Sequence, residues 1–284
     1  MNMPDICIVT DGTVQFQKPF FAGQNLLQII PHNIRVNHQL VNQAQSYKAT
    51  QLPTFANDSL NPRLLPPTSE EFTVIFSDLG KKYDHILGVF VSSSLSQCFL
   101  NAQEAAQGLR GRINIALIDS QTISIGLGYL VQAAAEAIAG GKPFDSIEQQ
   151  IRSIIPKVYM IFCIPGLSYL YYNRFIDHEQ ALISEMLGLY PIFTIEEGKF
   201  TPVEKGRNRH HTLDYFVEFL DEFENLQLIS LLQCIPPGNS EMRVFRDHVI
   251  ENFPKTPFSE HNINLQLAVL FGPKSVGLVV IEGD

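Results

Sequence analysis

Short apolar runs alternate with helix-like segments in the first half of this chain. Ile6–Val9 opens it, and the continuous apolar runs His85–Val91 and Ile113–Ile118 follow. Such runs are typical of strands that are covered on both faces. After each of the last two runs, apolar residues recur at helical spacing. Residues 1–155 therefore predict βαβ units in a parallel α/β/α domain, with an irregular segment at 14–67 that is a candidate for contact with a second domain.

The second half has a different pattern, and residues 156–284 predict an α+β domain with a mixed sheet. The polar turn Glu196–Lys199 separates two strand-like runs, as in a hairpin. The predicted elements are a strand at Val158–Ile164, a helix at Glu179–Leu189, a hairpin over 192–203, a helix at Leu213–Glu224, a strand at Leu228–Ile235, a helix at Glu241–Asn252, and final strands around Leu265 and Val279.

Composition narrows the class of protein. Charged residues make up 17% of the chain against 45% hydrophobic residues, which excludes general disorder. The net charge of −9 argues against a nucleic-acid partner, because phosphate binding needs a basic face. No apolar run is long enough for an integral membrane segment. Residues 1–10 do not resemble an export signal, so we expect a cytoplasmic protein whose four cysteines are reduced and buried.

Three predicted strands end in similar polar turns. Val9 leads into Thr10–Thr13, Val91 into Ser92–Ser96, and Ile118 into Asp119–Thr122. Ligands of parallel sheets bind outside the carboxyl ends of the strands, and a serine-rich turn that opens a helix offers hydroxyl and N–H donors. The turn after Val91 is therefore a candidate site for a phosphate or a carboxylate. The alternative is that these residues are ordinary helix N-caps.

No pattern indicates a catalytic residue or a metal site. The sequence has no Walker A motif, no Gly-x-Ser-x-Gly and no His-Glu-x-x-His, and its cysteines lack metal-type spacing. Gly126-x-Gly128 lacks the third glycine of a dinucleotide fingerprint. The basic cluster at 207–211 is equally well explained as a solvated helix start or as an anion-binding group.

Several motifs, in order along the chain, resemble those of the DegV family. The most specific is Ile118–Tyr129, which is similar to the family segment IDS-x-x-x-S-x-G-x-G. The others match TDST, TTS, SS-x-LSGT, GGR, KPI…GKI…EK-x-R-x-R and GPGAVG, and they lie at 9–13, 67–69, 93–96, 173–174, 191–209 and 272–277.

The resemblance implies a two-domain protein that binds one long-chain fatty acid and is not itself an enzyme. In this family the carboxylate lies in a cleft between the domains and the acyl chain lies in an apolar tunnel. Some members present the acid to a separate fatty-acid kinase. No cofactor is implied beyond the bound fatty acid.

The resemblance also implies roles for individual residues. Ser96 matches the serine that holds the carboxylate together with its neighbours. Arg174 matches an arginine of the kinase-facing surface. The full set of implied ligand-binding residues is Thr68, Ser69, Ser93, Ser96, Gln97, and Arg207 or Arg209.

Some positions depart from the family pattern. Gln97 and Cys98 replace a glycine and a threonine, Leu270 replaces a histidine, and Lys274 replaces the last glycine of GPG. These departures motivate an alternative, in which the chain has lost fatty-acid binding and acts as a regulatory or interaction protein. A third hypothesis is a kinase-like enzyme that acts on a small hydroxylated molecule. Its only support is that the fold implied by the resemblance is shared with a dihydroxyacetone kinase domain.

Overall fold

The computed structural model describes residues 5–41, 47–234 and 240–283. The chain divides into two units. The first comprises the described parts of Met1–His32, Pro66–Val158 and Glu197–Lys199. The second comprises the described parts of Asn33–Leu65, Tyr159–Glu196 and Phe200–Asp284.

The described residues form strands and α-helices with the following bounds. The strands are β1 Ile6–Asp11, β2 Leu27–Ile30, β3 Asn33–Val36, β4 Gln39–Val41, β5 Arg63–Leu65, β6 His85–Phe90, β7 Asn114–Asp119, β8 Val158–Cys163, β9 Tyr190–Glu196, β10 Lys199–Gly206, β11 Leu226–Gln233, β12 Phe258–Asn262 and β13 Val276–Glu282. The helices are α1 Ser69–Leu79, α2 Cys98–Gly108, α3 Ser124–Ala139, α4 Phe144–Ile154, α5 Ser168–Tyr172, α6 His178–Met186, α7 Arg209–Asp221, α8 Ser240–Asn252 and α9 Leu265–Phe271.

The first unit contains a parallel four-stranded sheet in the order β2-β1-β6-β7. Ile8 of β1 lies opposite Leu27 on one side and Leu87 on the other. Every residue of β1 is buried, as expected for a strand covered on both faces. Helix α1 packs against α2, and α3 packs against α4. The predicted parallel α/β arrangement is confirmed.

Local sequence explains where the helices begin. Thr68 is the N-cap of α1, and its hydroxyl accepts a hydrogen bond from the Glu71 amide while the Glu71 carboxylate accepts one from the Thr68 amide. This reciprocal pair satisfies two of the amides that a helix start leaves unpaired. Phe72 and Phe76 then occupy the buried face of α1.

The second unit contains a mixed six-stranded sheet in the order β10-β9-β8-β13-β11-β12. Strand β11 is parallel to β12 and antiparallel to β13, and β8 is antiparallel to β9. The predicted mixed sheet is confirmed. A core of buried apolar side chains from β11, β13, α7 and α8 covers this sheet, including Phe216, Ile229, Phe245 and Leu278.

Residues 33–65 group with the second unit, although they precede most of the first unit in the sequence. Strands β4, β3 and β5 form a small antiparallel sheet there. The Tyr169 hydroxyl donates to the Pro53 carbonyl at 2.7 Å, and Leu64 donates to the Asn173 side chain at 3.0 Å. The sequence predicts a first domain over 1–155, with 14–67 as a candidate for contact with the second domain. Of the two units, the second takes in 33–65 and resumes at Tyr159.

Two predicted elements differ from the structure. Leu265 begins helix α9 and is not in a strand. The Asn264 side chain accepts a hydrogen bond from the Leu267 amide, so this residue caps a helix. Helix α7 begins at Arg209, four residues before the predicted start, because Asn208 caps it. Ile235, the predicted end of β11, lies outside the described residues.

All four cysteines are buried and unpaired, as predicted. None of the helices among the described residues is both long and apolar enough to cross a membrane.

Candidate functional site

The carboxyl ends of β1 and β6 are joined by the buried carboxylate of Asp11. One of its oxygens accepts hydrogen bonds from the Thr13 amide at 2.9 Å and the Thr13 hydroxyl at 2.6 Å. The other accepts from the Val91 amide at 2.7 Å. Asp11 is fully buried, so these charge-assisted bonds replace its hydration. The turn after β1 and the start of the serine-rich turn are therefore held in one geometry.

Asp119 lies at the end of β7, in the most specific of the family-like motifs. Like Asp11, it binds backbone amides of the neighbouring turns through its carboxylate. Its carboxylate accepts from the Gln121 amide at 3.0 Å, and both oxygens lie 3.3 Å from the Ser93 amide nitrogen. Ser124, which follows, has a positive φ of 58°. It is fastened to Gln15 by two hydrogen bonds. The polar residues of this motif thus shape the turns around the candidate site.

The serines of the turn after β6 fall into two groups according to their hydrogen bonds. The hydroxyls of Ser92 and Ser94 donate to the Gly198 carbonyl, Ser92 at 2.6 Å. Gly198 lies in the 197–199 turn, which belongs to the first unit. Ser92 and Ser94 therefore have a structural role, which leaves Ser93 and Ser96 as the candidates for ligand binding.

Ser96 lies next to a buried histidine. The Ser96 hydroxyl is 3.3 Å from Nε2 of His32, and it accepts a hydrogen bond from the Cys98 amide at 3.2 Å. Nδ1 of His32 is 3.8 Å from an Asp11 oxygen and has no hydrogen-bond partner, and both side chains are fully buried. The imidazole of His32 therefore lies between the Asp11 carboxylate and the Ser96 hydroxyl. The first two groups are buried, and the Ser96 hydroxyl is half-buried.

Burial lowers the pKa of His32 below its ordinary value, and the nearby Asp11 carboxylate partly opposes that shift. The neutral imidazole is therefore favoured in the folded protein near neutral pH. A neutral imidazole can donate from one nitrogen and accept at the other, so Nε2 can either orient the Ser96 hydroxyl or donate to a ligand.

Acidification is expected to destabilise the wild type more than a His32→Gln variant. A histidine with a lowered pKa binds fewer protons when folded than when unfolded, so stability falls as pH drops below the unfolded pKa of 6.5. The effect is at most about 1.4 kcal/mol per pH unit below that value. Urea unfolding of both proteins between about pH 7.5 and about pH 5.5 measures it. The same pH dependence in both proteins would show that His32 does not titrate in this way.

Three predicted ligand residues lie at the starts of two neighbouring helices. Thr68 caps α1, Ser69 is its first residue, and Gln97 immediately precedes α2. The Asn101 side chain donates to the Pro67 carbonyl at 2.7 Å, which places the first turn of α2 beside the start of α1. Helix starts attract anions through their unpaired amides. The structure thus brings two helix starts together near Ser96.

The predicted arginines all belong to the second unit. Arg207 and Arg209 are exposed at the start of α7. Arg174 is exposed after α5 with a φ of 67°, and the preceding residue, Asn173, is fixed by a bond to the Val269 carbonyl at 2.8 Å. The implied contact of Arg207 or Arg209 with the head group, and of Arg174 with a kinase, stay predictions.

The departures from the family pattern have distinct structural consequences. Leu270 is buried in α9 and supplies no polar contact. Gln97 is exposed, and its side chain makes no capping hydrogen bond to α2. Within the described part of the chain, no group of three or more His, Cys, Asp or Glu side chains is arranged to hold a metal ion.

His32 and Asp11 are the site residues that the sequence did not single out for binding. Asp11 lies in the 9–13 segment, which resembles the TDST motif of the family. His32 lies in the segment between Thr13 and Thr68, where that pattern is weak. The position of His32 in the sheet links it to the site. Ile30, the last residue of β2, pairs with Asp11 in the parallel sheet, so His32 follows the carboxyl end of β2 at the same edge.

Comparison with known proteins adds independent support for the family. The family model described as "Uncharacterised protein, DegV family" matches residues 5–283. A DegV domain-containing protein of Staphylococcus aureus is 26% identical over 280 residues, which are 97% of this chain and 98% of that protein.

Two solved structures have the same fold. One is described as fatty acid binding of a DegV family protein from Thermus thermophilus, with a TM-score of 0.82, 19% identity, and coverage of 98% of this chain and 100% of that one. The other is the Streptococcus pneumoniae Fatty Acid Kinase (Fak) B3 protein loaded with linoleic acid, with a TM-score of 0.81, 17% identity, and coverage of 99% and 100%. Since the family model spans nearly the whole chain, this protein belongs to the DegV family.

Proposed function

We propose that this protein binds one long-chain fatty acid, with its carboxylate held at Ser96, and that it is a binding protein and not an enzyme. The observation that carries the proposal is the pairing of the Ser96 hydroxyl with buried His32 beside two helix starts. A single carboxylate needs a few well-placed donors and little net positive charge. The similar proteins from Thermus thermophilus and Streptococcus pneumoniae, described as fatty acid binding and as loaded with linoleic acid, support the choice of ligand.

His32 takes the place of a missing histidine in this proposal. The family pattern has a histidine where this chain has Leu270, which removes one polar head-group contact. His32, which precedes Ser96 in the chain, places its imidazole within hydrogen-bonding distance of the Ser96 hydroxyl. This observation favours retained binding over the alternative of a member that has lost its ligand.

Replacing Ser96 by alanine is expected to weaken long-chain fatty-acid binding by about tenfold or more, because a hydrogen bond to a charged group is lost. Lipid extraction and native mass spectrometry of the purified protein, followed by titration of the delipidated protein with oleate, measure the effect. Ser153→Ala is the matched control, since Ser153 is exposed on α4 and bonds only locally.

Two outcomes would contradict this proposal. A purified wild-type protein that carries no lipid and takes up no oleate would remove the function. Equal affinities of Ser96→Ala and the wild type would move the carboxylate elsewhere. A double-mutant cycle with His32→Leu shows whether the two residues act together: coupling between them supports the shared site.

Presentation of the bound acid to a fatty-acid kinase is the second part of the proposal. A cluster of three arginines in the second unit supports it. Arg35 pairs with Arg63 across two strands, and the charges of Arg174 and Arg35, after burial, lower the pKa of Arg63. Like charges held together favour an anionic partner surface. The test is formation of acyl phosphate from the loaded protein with ATP and a fatty-acid kinase; no product would contradict it.

A further inference from the structure

One nitrogen of the buried His32 imidazole has no hydrogen-bond partner. The side chain is fully buried, and its Nε2 lies 3.3 Å from the Ser96 hydroxyl oxygen. Its Nδ1 lies 3.8 Å from an Asp11 oxygen, which is too far for a hydrogen bond, and no other described group pairs with it. A buried polar atom without a partner costs stability, so this nitrogen calls for an explanation.

The Asp11 carboxylate decides which nitrogen of the neutral imidazole carries the proton. The oxygen that faces Nδ1 already accepts hydrogen bonds from the amide and the hydroxyl of Thr13. A bare lone pair on Nδ1 would be repelled by this oxygen, whereas an N–H group there is attracted to it. The geometry therefore favours a proton on Nδ1, which leaves Nε2 as a bare acceptor in the ligand-free protein.

The Ser96 hydroxyl has a single proton, and a bound carboxylate changes where that proton points. Its oxygen accepts a hydrogen bond from the Cys98 amide at 3.2 Å, and in the ligand-free protein its proton points to the bare Nε2 of His32. A carboxylate contains only acceptors, so the hydroxyl must donate to it when it binds at Ser96. Nε2 then faces a hydroxyl oxygen without a proton between them. It keeps its hydrogen bond only if it takes up a proton of its own.

We propose that His32 becomes an imidazolium when the carboxylate of a fatty acid binds at Ser96, so that each acid enters with one proton; this inference rests on the proposed function. Nε2 of the imidazolium donates to the Ser96 oxygen, and the Nδ1 proton faces Asp11. The positive charge then lies between two carboxylates. The added proton comes from the solvent and balances the charge of the acid, so the loaded site has the same net charge as the free site.

The titratable groups around the imidazole are compatible with this change. Burial lowers the pKa of His32 in the ligand-free protein, and the Asp11 carboxylate opposes that shift. The Cys98 thiol at the start of α2 stays neutral, because burial and the nearby Asp11 charge raise its pKa well above the ordinary value. A second carboxylate at Ser96 adds to the field of Asp11 and raises the pKa of the imidazole.

Proton uptake is measured by calorimetric titration of the delipidated protein with dodecanoate in phosphate and in Tris, two buffers with different ionisation enthalpies. The two binding heats are expected to differ by the amount that corresponds to uptake of about one proton per acid. Above about pH 6.5, affinity should fall by up to tenfold per pH unit until the pH passes the pKa of the loaded imidazole. Dodecanoate stays ionised in this range, because a carboxyl group such as that of glutamate has an ordinary pKa of about 4.3.

Two histidine variants test whether His32 takes up the proton. His32→Gln keeps a donor for the Ser96 oxygen but cannot be protonated, so its dodecanoate affinity should depend neither on pH nor on the buffer. His85→Gln is the matched control, since His85 lies at the amino end of β6 and is bonded to Asn114. That variant should take up the same proton as the wild type.

Nitrogen-15 NMR of the wild type needs no variant. The His32 ring should carry a proton on one nitrogen in the delipidated protein and on both nitrogens in the oleate-loaded protein. Three results would overturn this inference and leave the proposed function intact: binding without proton uptake, uptake that persists in His32→Gln, and a singly protonated His32 ring in the loaded protein. A wild type that binds neither dodecanoate nor oleate would instead remove the proposed function, and this inference with it.

Discussion

Replacing Asp11 by alanine is expected to lower the free energy of unfolding by about 3–5 kcal/mol. The carboxylate is fully buried and accepts three hydrogen bonds, from the amides of Thr13 and Val91 and from the Thr13 hydroxyl. Its removal leaves these donors unpaired inside the first unit and removes the charge beside His32. Chemical unfolding monitored by circular dichroism measures the loss.

Two further variants separate the causes. Asp11→Asn keeps the size and one acceptor but turns an amide donor toward the existing donors, so we expect an intermediate loss of about 2 kcal/mol. Asp78→Ala is the surface control, since Asp78 pairs with Lys81 where both side chains are mostly exposed, and it should cost less than about 1 kcal/mol. Faster hydrogen exchange at the Val91 amide should accompany the loss in Asp11→Ala. A stability of Asp11→Ala within error of Asp78→Ala would refute this account.

The sequence predicted the elements best where local signals agreed. At α1, a capping residue at Thr68 or Ser69 and the apolar spacing of Phe72 and Phe76 predict a helix. The structure has that helix, and Thr68 is its N-cap. At β6, a continuous apolar run indicated a strand buried on both faces, and five of its six residues are buried. Each signal there depends on residues only a few positions apart.

Helix α9 shows why one element was assigned wrongly. Its sequence, Leu265–Phe271, is a short apolar run, and five of its residues are buried. A helix that is buried on all sides has no polar face, so its periodicity cannot be distinguished from that of a buried strand. The distinguishing signals were at the ends, where Asn264 caps the helix and Gly272 follows it.

Long-range features required the structure. The grouping of 33–65 with the second unit depends on hydrogen bonds to Tyr169 of α5 and to Asn173 just after it, which lie more than a hundred positions away. His32 comes close to Ser96 because β2 runs parallel to β1 at the edge of the sheet. Had the short segment at 27–30 been predicted as a parallel strand, His32 would have been placed at the edge that carries Asp11. The polar turns after the strands predict that the candidate site lies at the carboxyl edge of the sheet, but they do not predict that His32 lies beside Ser96.

Gly128→Ala is expected to destabilise the protein by about 3 kcal/mol or more, although alanine favours helices over glycine by about 1 kcal/mol. Gly128 lies in α3, where a β-carbon would stand 1.8 Å from the Gln15 carbonyl oxygen and 2.8 Å from the Gln15 carbonyl carbon. Both are backbone atoms, so either the helix or the turn after β1 must move. The steric effect therefore outweighs helix propensity.

The matched control is Gly108→Ala at the end of α2, where a β-carbon would meet nothing within 4 Å. That variant should be stabilised by up to about 1 kcal/mol. Because Gln15 is fastened to Ser124 and follows the Asp11–Thr13 turn, Gly128→Ala should also weaken oleate binding, which Gly108→Ala leaves unchanged. Chemical unfolding and oleate titration of both variants measure these effects. If Gly128→Ala were as stable as the wild type, the glycine of this motif would not be required by the close approach of Gln15.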